Sequence, residues 1–204
     1  MNLEVLISCM NQQDMRIAEQ TGIQTDALIV NQYMQAESSE DVSLDCNAIE
    51  VQNGSRGNIR MIRSNTRGLS KSRNLAIQHA AGDVCLLCDD DEQLDRSYEN
   101  IILKAYEALP DADIISFRIS NQPSRLKQET QRLTKWTAMR IASWQITFRR
   151  ESILKSGIRF DEDMGAGTGN GGGEEVKFLY KSRAESLLCS EKYRDSGADR
   201  IHLV

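Results

Sequence analysis

Arg67-Gly-Leu-Ser-Lys-Ser-Arg-Asn-Leu-Ala-Ile-Gln-His-Ala-Ala-Gly-Asp-Val-Cys-Leu-Leu-Cys-Asp-Asp-Asp-Glu92 is the stretch whose reading decides the fold. It divides into a helix, a turn, a buried strand and four consecutive acids. Ser70 is placed to cap the helix, Leu75, Ala76, Ala80 and Ala81 give it an apolar side, and Gly82 stands where a left-handed C-terminal residue is expected. Val84 to Cys88 is an unbroken apolar run, short enough for a strand covered on both faces, as in parallel sheets. That strand runs into Asp89-Asp90-Asp91-Glu92. Carboxylates crowded in this way repel one another unless a cation neutralises them, and all-oxygen ligands select a hard ion such as Mg²⁺ or Mn²⁺. In open α/β sheets the ligand site lies beyond the carboxyl ends of the strands, where these acids fall. Asp89 and Asp91 point to the same side if the chain stays extended there. Helix-start chemistry is the competing account. Tyr98, Ile101, Ile102, Ala105, Tyr106 and Leu109 recur at helical spacing just downstream, and acids ahead of a helix are ordinary, Glu92 and Asp95 above all.

Working outward, the 204 residues suit a single domain with a good core, and a formal charge of −5 argues against a nucleic-acid partner. The basic residues that do cluster, Arg60, Arg63, Arg67, Lys71 and Arg73, flank the acids in sequence. Lys71 belongs on a solvated helix face. The five cysteines are scattered. The early acid and short apolar run at the N-terminus do not resemble a secretion signal, and no run approaches the roughly 20 apolar residues of a membrane span. The expectation is a reduced, cytoplasmic protein. Cys85 and Cys88 form a C-x-x-C, but both fall within the apolar strand on opposite faces, so buried structural thiols are expected.

Upstream, Leu3 to Ser8 predicts the first strand, with a loop beginning at Asn11, a short helix around Asp14 to Gln20, and a second strand over Asp26 to Asn31. Gln35 to Asp45 reads as a polar surface loop. Ala48 to Gln52 and Asn58 to Arg63 flank a hairpin signal at Asn53-Gly54. Downstream, a strand is expected from Asp113 and a half-buried strand from the alternation of Trp144, Ile146 and Phe148, with residues 122–135 an excursion between them. A place in the core is the expected reading of Trp136 and Trp144.

A second chemical stretch is Asp161-Glu-Asp-Met-Gly-Ala-Gly-Thr-Gly-Asn-Gly-Gly-Gly-Glu174-Glu175. Six glycines in the nine positions from Gly165 to Gly173 allow the loop to approach a ligand closely. It lacks the Lys-Ser/Thr ending of a phosphate loop, and two acids follow, which repel phosphate. Val176, Leu179, Tyr180, Ala184, Leu187 and Leu188 predict a helix, so Glu174 and Glu175 fall at its N-terminus.

The order and spacing of Arg67-Gly-Leu-Ser-x-Ser-Arg-Asn, Ala81-Gly-Asp, an apolar strand and Asp-Asp-Asp resemble a family-2 glycosyltransferase, and the likeness runs over most of residues 2–181. It implies an α/β fold of the GT-A type, a mostly parallel central sheet flanked by helices. It implies a metal-dependent inverting transfer of a sugar from a nucleotide-sugar, a UDP-sugar by preference, to a hydroxyl of a glycan or lipid-linked acceptor in surface-polysaccharide synthesis. Such an enzyme works in the cytoplasm, at the inner face of the membrane when its acceptor is membrane-borne. The family's Asp-x-Asp motif falls on Asp89 and Asp91 as ligands of Mn²⁺ or Mg²⁺, with Asp90 beside the nucleotide-sugar. The catalytic base falls on Glu175, with Glu174 second, and nucleotide contacts fall on Asn11, Asn31, Arg67 and Arg73. Asn31 replaces the family's usual aspartate at that position, so base recognition would pass through an amide. The resemblance stops at Lys181. The expectation is a catalytic domain over 1–181 and an atypical, truncated tail over 182–204, with His202 as a surface residue. A non-catalytic nucleotide- or carbohydrate-binding remnant and a sugar-phosphate nucleotidyltransferase are the alternatives, though the basic glycine loop of the latter is missing after the first strand.

Overall fold

The computed structural model describes residues 1–33, 49–53, 57–117, 131–181 and 186–189. The expected loop over Gln35 to Asp45, the excursion over residues 122–130 and the end of the chain from residue 190 lie outside the described residues.

A mixed sheet of nine strands runs through the molecule in the order β3-β4-β2-β1-β5-β8-β6-β9-β7. Its centre is the expected parallel part: β1 (Leu3–Met10) between β2 (Asp26–Gln32) and β5 (Val84–Asp89), with β4 (Asn58–Ser64) beyond β2. Antiparallel pairings occur on both flanks. β3 (Ile49–Asn53) folds back on β4 in the expected hairpin, in register from Ile49↔Ile62 to Asn53↔Asn58. On the other side β8 (Ile146–Arg149) runs antiparallel to β5 and to β6 (Ile114–Phe117). β9 (Ser186–Cys189) joins β6 in parallel and β7 (Gln131–Arg132) pairs with β9.

The apolar runs bury both faces, as their continuity requires. Along β1, Val5, Ile7 and Cys9 face one layer, with Ile17 of the short helix α1 (Ile17–Gln20) and with Tyr98, Ile102, Ala105 and Tyr106 of α3 (Tyr98–Ala108). Leu6 faces the opposite layer, with Ala76 and Ile77 of α2 (Leu69–His79), Ile153 of α5 (Arg150–Ser156), and Phe178 and Leu179 of α6 (Glu174–Lys181). Cys85 and Cys88 go to opposite layers, and burial pushes both thiols up, so they remain protonated and inert.

Several local expectations change. Ser70 does not cap α2: the N-cap is Gly68, at φ 119°, and the Ser70 hydroxyl donates across the site to Met164 O at 2.7 Å. Gly82 is not left-handed. It is needed for contact, since a Cβ there would stand 2.6 Å from Glu4 Cβ, and its N–H donates to Glu4 Oε2 at 2.8 Å. Gly82→Ala is therefore expected to push on a fully buried carboxylate that also holds Arg60 and Ala81 N–H, and to lower the melting temperature clearly. Trp144 lies in a 3₁₀ turn, Ser143–Gln145, ahead of β8, because the Gln145 side chain caps that turn by accepting from Ala142 N–H at 2.9 Å. Trp136 is not in the core: it is 78% exposed on α4 (Lys135–Ala138). The helix expected to continue to Leu188 is described over Glu174–Lys181, and Leu187 and Leu188 lie instead in β9, on the ladder with Ile115 and Ser116. Among the described residues no helix is long and apolar enough to cross a membrane.

Candidate active site

The Arg67–Asn74 segment turns out to be a dock for the glycine loop. Gly68 and Gly167 approach so closely that a Cβ on Gly167 would meet Gly68 Cα at 3.4 Å, and Leu69 N–H donates to Ala166 O at 3.0 Å. Asn74 clamps the start of the loop from both sides, donating to Phe160 O at 3.0 Å and accepting from Phe160 N–H at 2.9 Å. Ser72 ties the same helix to β1, its hydroxyl donating to Ser8 Oγ at 2.9 Å. Five glycines of the loop, 165, 167, 169, 172 and 173, have positive φ, which explains their number better than mobility does. Gly165 is the tightest: at φ 98°, a Cβ there would stand 3.1 Å from Glu174 Cδ. Gly165→Ala is expected to cost more than about 1 kcal/mol of stability and to displace Glu174, readable as a lower denaturation midpoint.

Arg73 sits where the two chemical stretches meet. It is buried, and its Nη2 donates to Asp89 Oδ1 at 3.0 Å while Nη1 donates to Glu175 Oε1 at 3.2 Å and to Glu174 Oε1 at 3.3 Å. Sequence placed this arginine at a diphosphate; in the structure its charge is turned onto three carboxylates. Asp89 Oδ2 also accepts from the Ser143 hydroxyl at 2.9 Å. Ser143 had no signal in sequence, lying in a segment without periodicity. The carboxyl of Glu175 is held above the usual carboxylate range, first by burial and then by the charge of Glu174, with its own backbone N–H and Arg73 pulling the other way. Such a group is more basic than a solvated glutamate, as a proton acceptor requires.

The acids beyond β5 separate into distinct roles. The strand ends at Asp89, and Asp90-Asp91 form a turn, so the expected alternation of Asp89 and Asp91 does not apply. Asp90 and Asp91 are exposed. Partial desolvation, then Asp91 and Asp89, push Asp90 up. Asp95 does serve the start of α3, accepting from Ser97 N–H at 2.8 Å. Glu92 does not: it is buried, takes Asp89 N–H on Oε2 at 3.2 Å, and its Oε1 has no partner. Burial first, and then Asp89, raise it from the ordinary 4.5 to about 8. The fold therefore accommodates the protonated acid, and stability is lost as pH rises from 4.5 through about 8. Glu92→Gln is expected to melt higher than the parent in chelator at pH 8.5, with the gap closing toward pH 5.

The remaining expected residues border the strand ends. Arg67 is exposed, its Cγ 3.7 Å from where a Cβ on Gly167 would stand. Asn31 is fully buried and spends its amide on the loop after β1, donating to Gln12 O at 2.6 Å and accepting from Gln12 N–H at 3.1 Å. It thus shapes that loop from within. Asn11 takes the left-handed conformation there, φ 54°, its N–H bonded to Gln32 O at 3.0 Å.

Residues 18–167 match the profile of a family described as Glycosyl transferase family 2. The chain belongs to that family. Its fold is GT-A. Among solved structures it is similar to S. aureus TarS 1-349, with a TM-score of 0.61 and 18% identity, over 94% of this chain and 59% of that one. A structure of the same S. aureus protein in complex with UDP-GlcNAc gives a TM-score of 0.60 at 18% identity, over 97% of this chain and 60% of that one. Its complex with UDP gives 0.58 at 16% identity, over 94% and 59%. This family-2 chain thus spans about three fifths of the length of these three structures, and 36% of a further S. aureus TarS structure. No curated protein sequence matches it.

Proposed function

We propose that this family-2 chain is a metal-dependent inverting glycosyltransferase that uses a nucleoside-diphosphate sugar, a UDP-sugar by preference. The observation that carries the proposal is the convergence on Arg73 of a strand-end carboxylate, Asp89, and a helix-start carboxylate, Glu175, which brings a diphosphate end and a base end into one site. The complexes of S. aureus TarS with UDP-GlcNAc and with UDP support the choice of donor.

A divalent cation fits the donor set. Among the described residues no three His, Cys, Asp or Glu side chains form a ready-made cage. Mg²⁺-type ions are commonly held by one or two carboxylates with substrate phosphates and water completing the shell, and the exposed Asp91 beside Asp89 offers hard oxygens for that arrangement. Asp91 and Asp89 would hold Mn²⁺ or Mg²⁺, which when bound neutralises charge on the departing diphosphate. Arg67 would add a cation from the glycine-loop side and Asn11 and Asp90 would border the nucleoside, while Asn31, buried, only shapes the loop that carries Asn11.

Glu175 takes the proton of the acceptor hydroxyl. As that O–H bond breaks, its electron pair forms the new bond to the anomeric carbon from the face opposite the diphosphate. The old carbon–oxygen pair leaves with the nucleotide, so the configuration inverts. The acceptor is a glycan or a lipid-linked sugar of a surface polysaccharide, met on the cytoplasmic side of the membrane, and the catalytic residues all lie within 1–181, while β9 beyond Lys181 completes the sheet. Incubation with a panel of UDP-sugars and Mn²⁺ tests this. UDP release that needs both the metal and Glu175 is expected, and no release from any donor contradicts it.

A further inference from the structure

One cation serves three carboxylates here. Arg73 Nη2 reaches Asp89 Oδ1 at 3.0 Å and Oδ2 at 3.3 Å, and both glutamates compete for Nη1, Glu175 at 3.2 Å and Glu174 at 3.3 Å. The guanidinium has little freedom to move. Its side chain is 2% exposed and lies 5.5 Å over the Phe160 ring, which is itself stacked at 4.2 Å on Phe178. Glu174 is buried too, and its second oxygen, Oε2, has no hydrogen-bond partner among the described residues. If all three acids are ionised, the cluster carries two uncompensated negative charges in a site largely shielded from water.

We propose that Arg73 and Glu174 are paired positioning residues for Glu175: Arg73 fixes its carboxylate in line with Asp89, and Glu174 draws off part of that cation's charge so that Glu175 keeps its affinity for the acceptor proton. The proposal rests on the transferase reading only for the origin of that proton. Among the described residues, the charged groups around Glu175 come from three elements. Arg73 faces it from α2, Glu174 from its own helix, and Asp89 from β5 across the guanidinium. Lys177, further along α6, is engaged by Asp161. The glycine loop contributes the uncharged Gly165 against Glu174. Arg73 lowers and Glu174 raises the proton affinity of Glu175, the opposed signs that this division of charge requires.

Carbon-13 NMR titration of the full chain labelled at glutamate carboxyls reads Glu175 directly, its signal identified by loss in Glu175→Gln. It needs no substrate. Glu174→Gln is expected to move the Glu175 midpoint down, and Arg73→Gln to move it up, each by at least about half a pH unit. Arg73→Lys, which keeps the charge, brings it back toward the parent value. Midpoints that move the same way in both Gln variants, or that stay put, overturn the proposal. Should Arg73→Gln fail to fold, Glu174→Gln alone decides, and an unmoved or raised midpoint overturns it. In parallel, the acid limb of turnover with UDP-GlcNAc and Mn²⁺ should shift with the NMR midpoint. Opposed NMR shifts in a chain that releases no UDP from any donor would contradict the transferase reading and leave the roles of Arg73 and Glu174 standing.

Discussion

Glu175→Gln is expected to lower turnover of the nucleotide-sugar by about 10²–10⁴-fold, the usual contribution of a positioned base, with donor affinity nearly unchanged. The reason lies in where the residue sits. Glu175 is at the start of α6, and its carboxylate faces Arg73 and Glu174, so its replacement removes no group that faces the donor end. Glutamine keeps the oxygen that accepts from Arg73 Nη1 but cannot take a proton. The loss should therefore fall on kcat, with the KM for the donor little altered. Glu174→Gln should cost much less, since Glu174 is buried under the glycine loop, away from any acceptor. Single-turnover kinetics with each variant checks the order. A larger loss at Glu174 than at Glu175 would move the base by one residue.

Asp91→Asn is expected to weaken metal-dependent binding of UDP by at least about tenfold while leaving the melting temperature unchanged. Asp91 is exposed in a turn and is not a structural support. Asp89→Asn should lose binding as well, but with a drop in stability, because Asp89 holds both Arg73 and the Ser143 hydroxyl. The asparagine amide puts an N–H where Asp89 accepts from either Arg73 or the Ser143 hydroxyl, so one of those bonds is lost. The contrast between the two variants separates a ligand from a strut. Equal stability losses with intact UDP binding would show that neither carboxylate meets a metal.

Much of the fold was legible because its signals are local. The apolar runs of β1, β2 and β5, the stripe of α3 and the hairpin around Asn53 each contain their own evidence, and all appear near the expected bounds. The pairing of Glu174-Glu175 with a helix start was legible for the same reason. What sequence could not give was reach. Ser70 looked like a cap because its hydroxyl precedes an apolar stripe, yet its acceptor is Met164, 94 positions away. Arg73 looked free because its neighbours in sequence are neutral or basic, and its three carboxylates arrive from two other elements. Gly82 shows the same limit: the reason for a glycine there is Glu4, one strand over, and not the end of its own helix. Glu92 passed for a helix-start acid because burial, which sets its chemistry, is invisible in the sequence.

The most direct test of the account is isothermal titration of the chain with UDP-GlcNAc, with and without Mn²⁺, alongside the Asp91→Asn variant. Binding that appears with Mn²⁺, falls by at least about tenfold in chelator and is lost in Asp91→Asn is the predicted result. Affinity that is the same in chelator, or the same in Asp91→Asn, would contradict it.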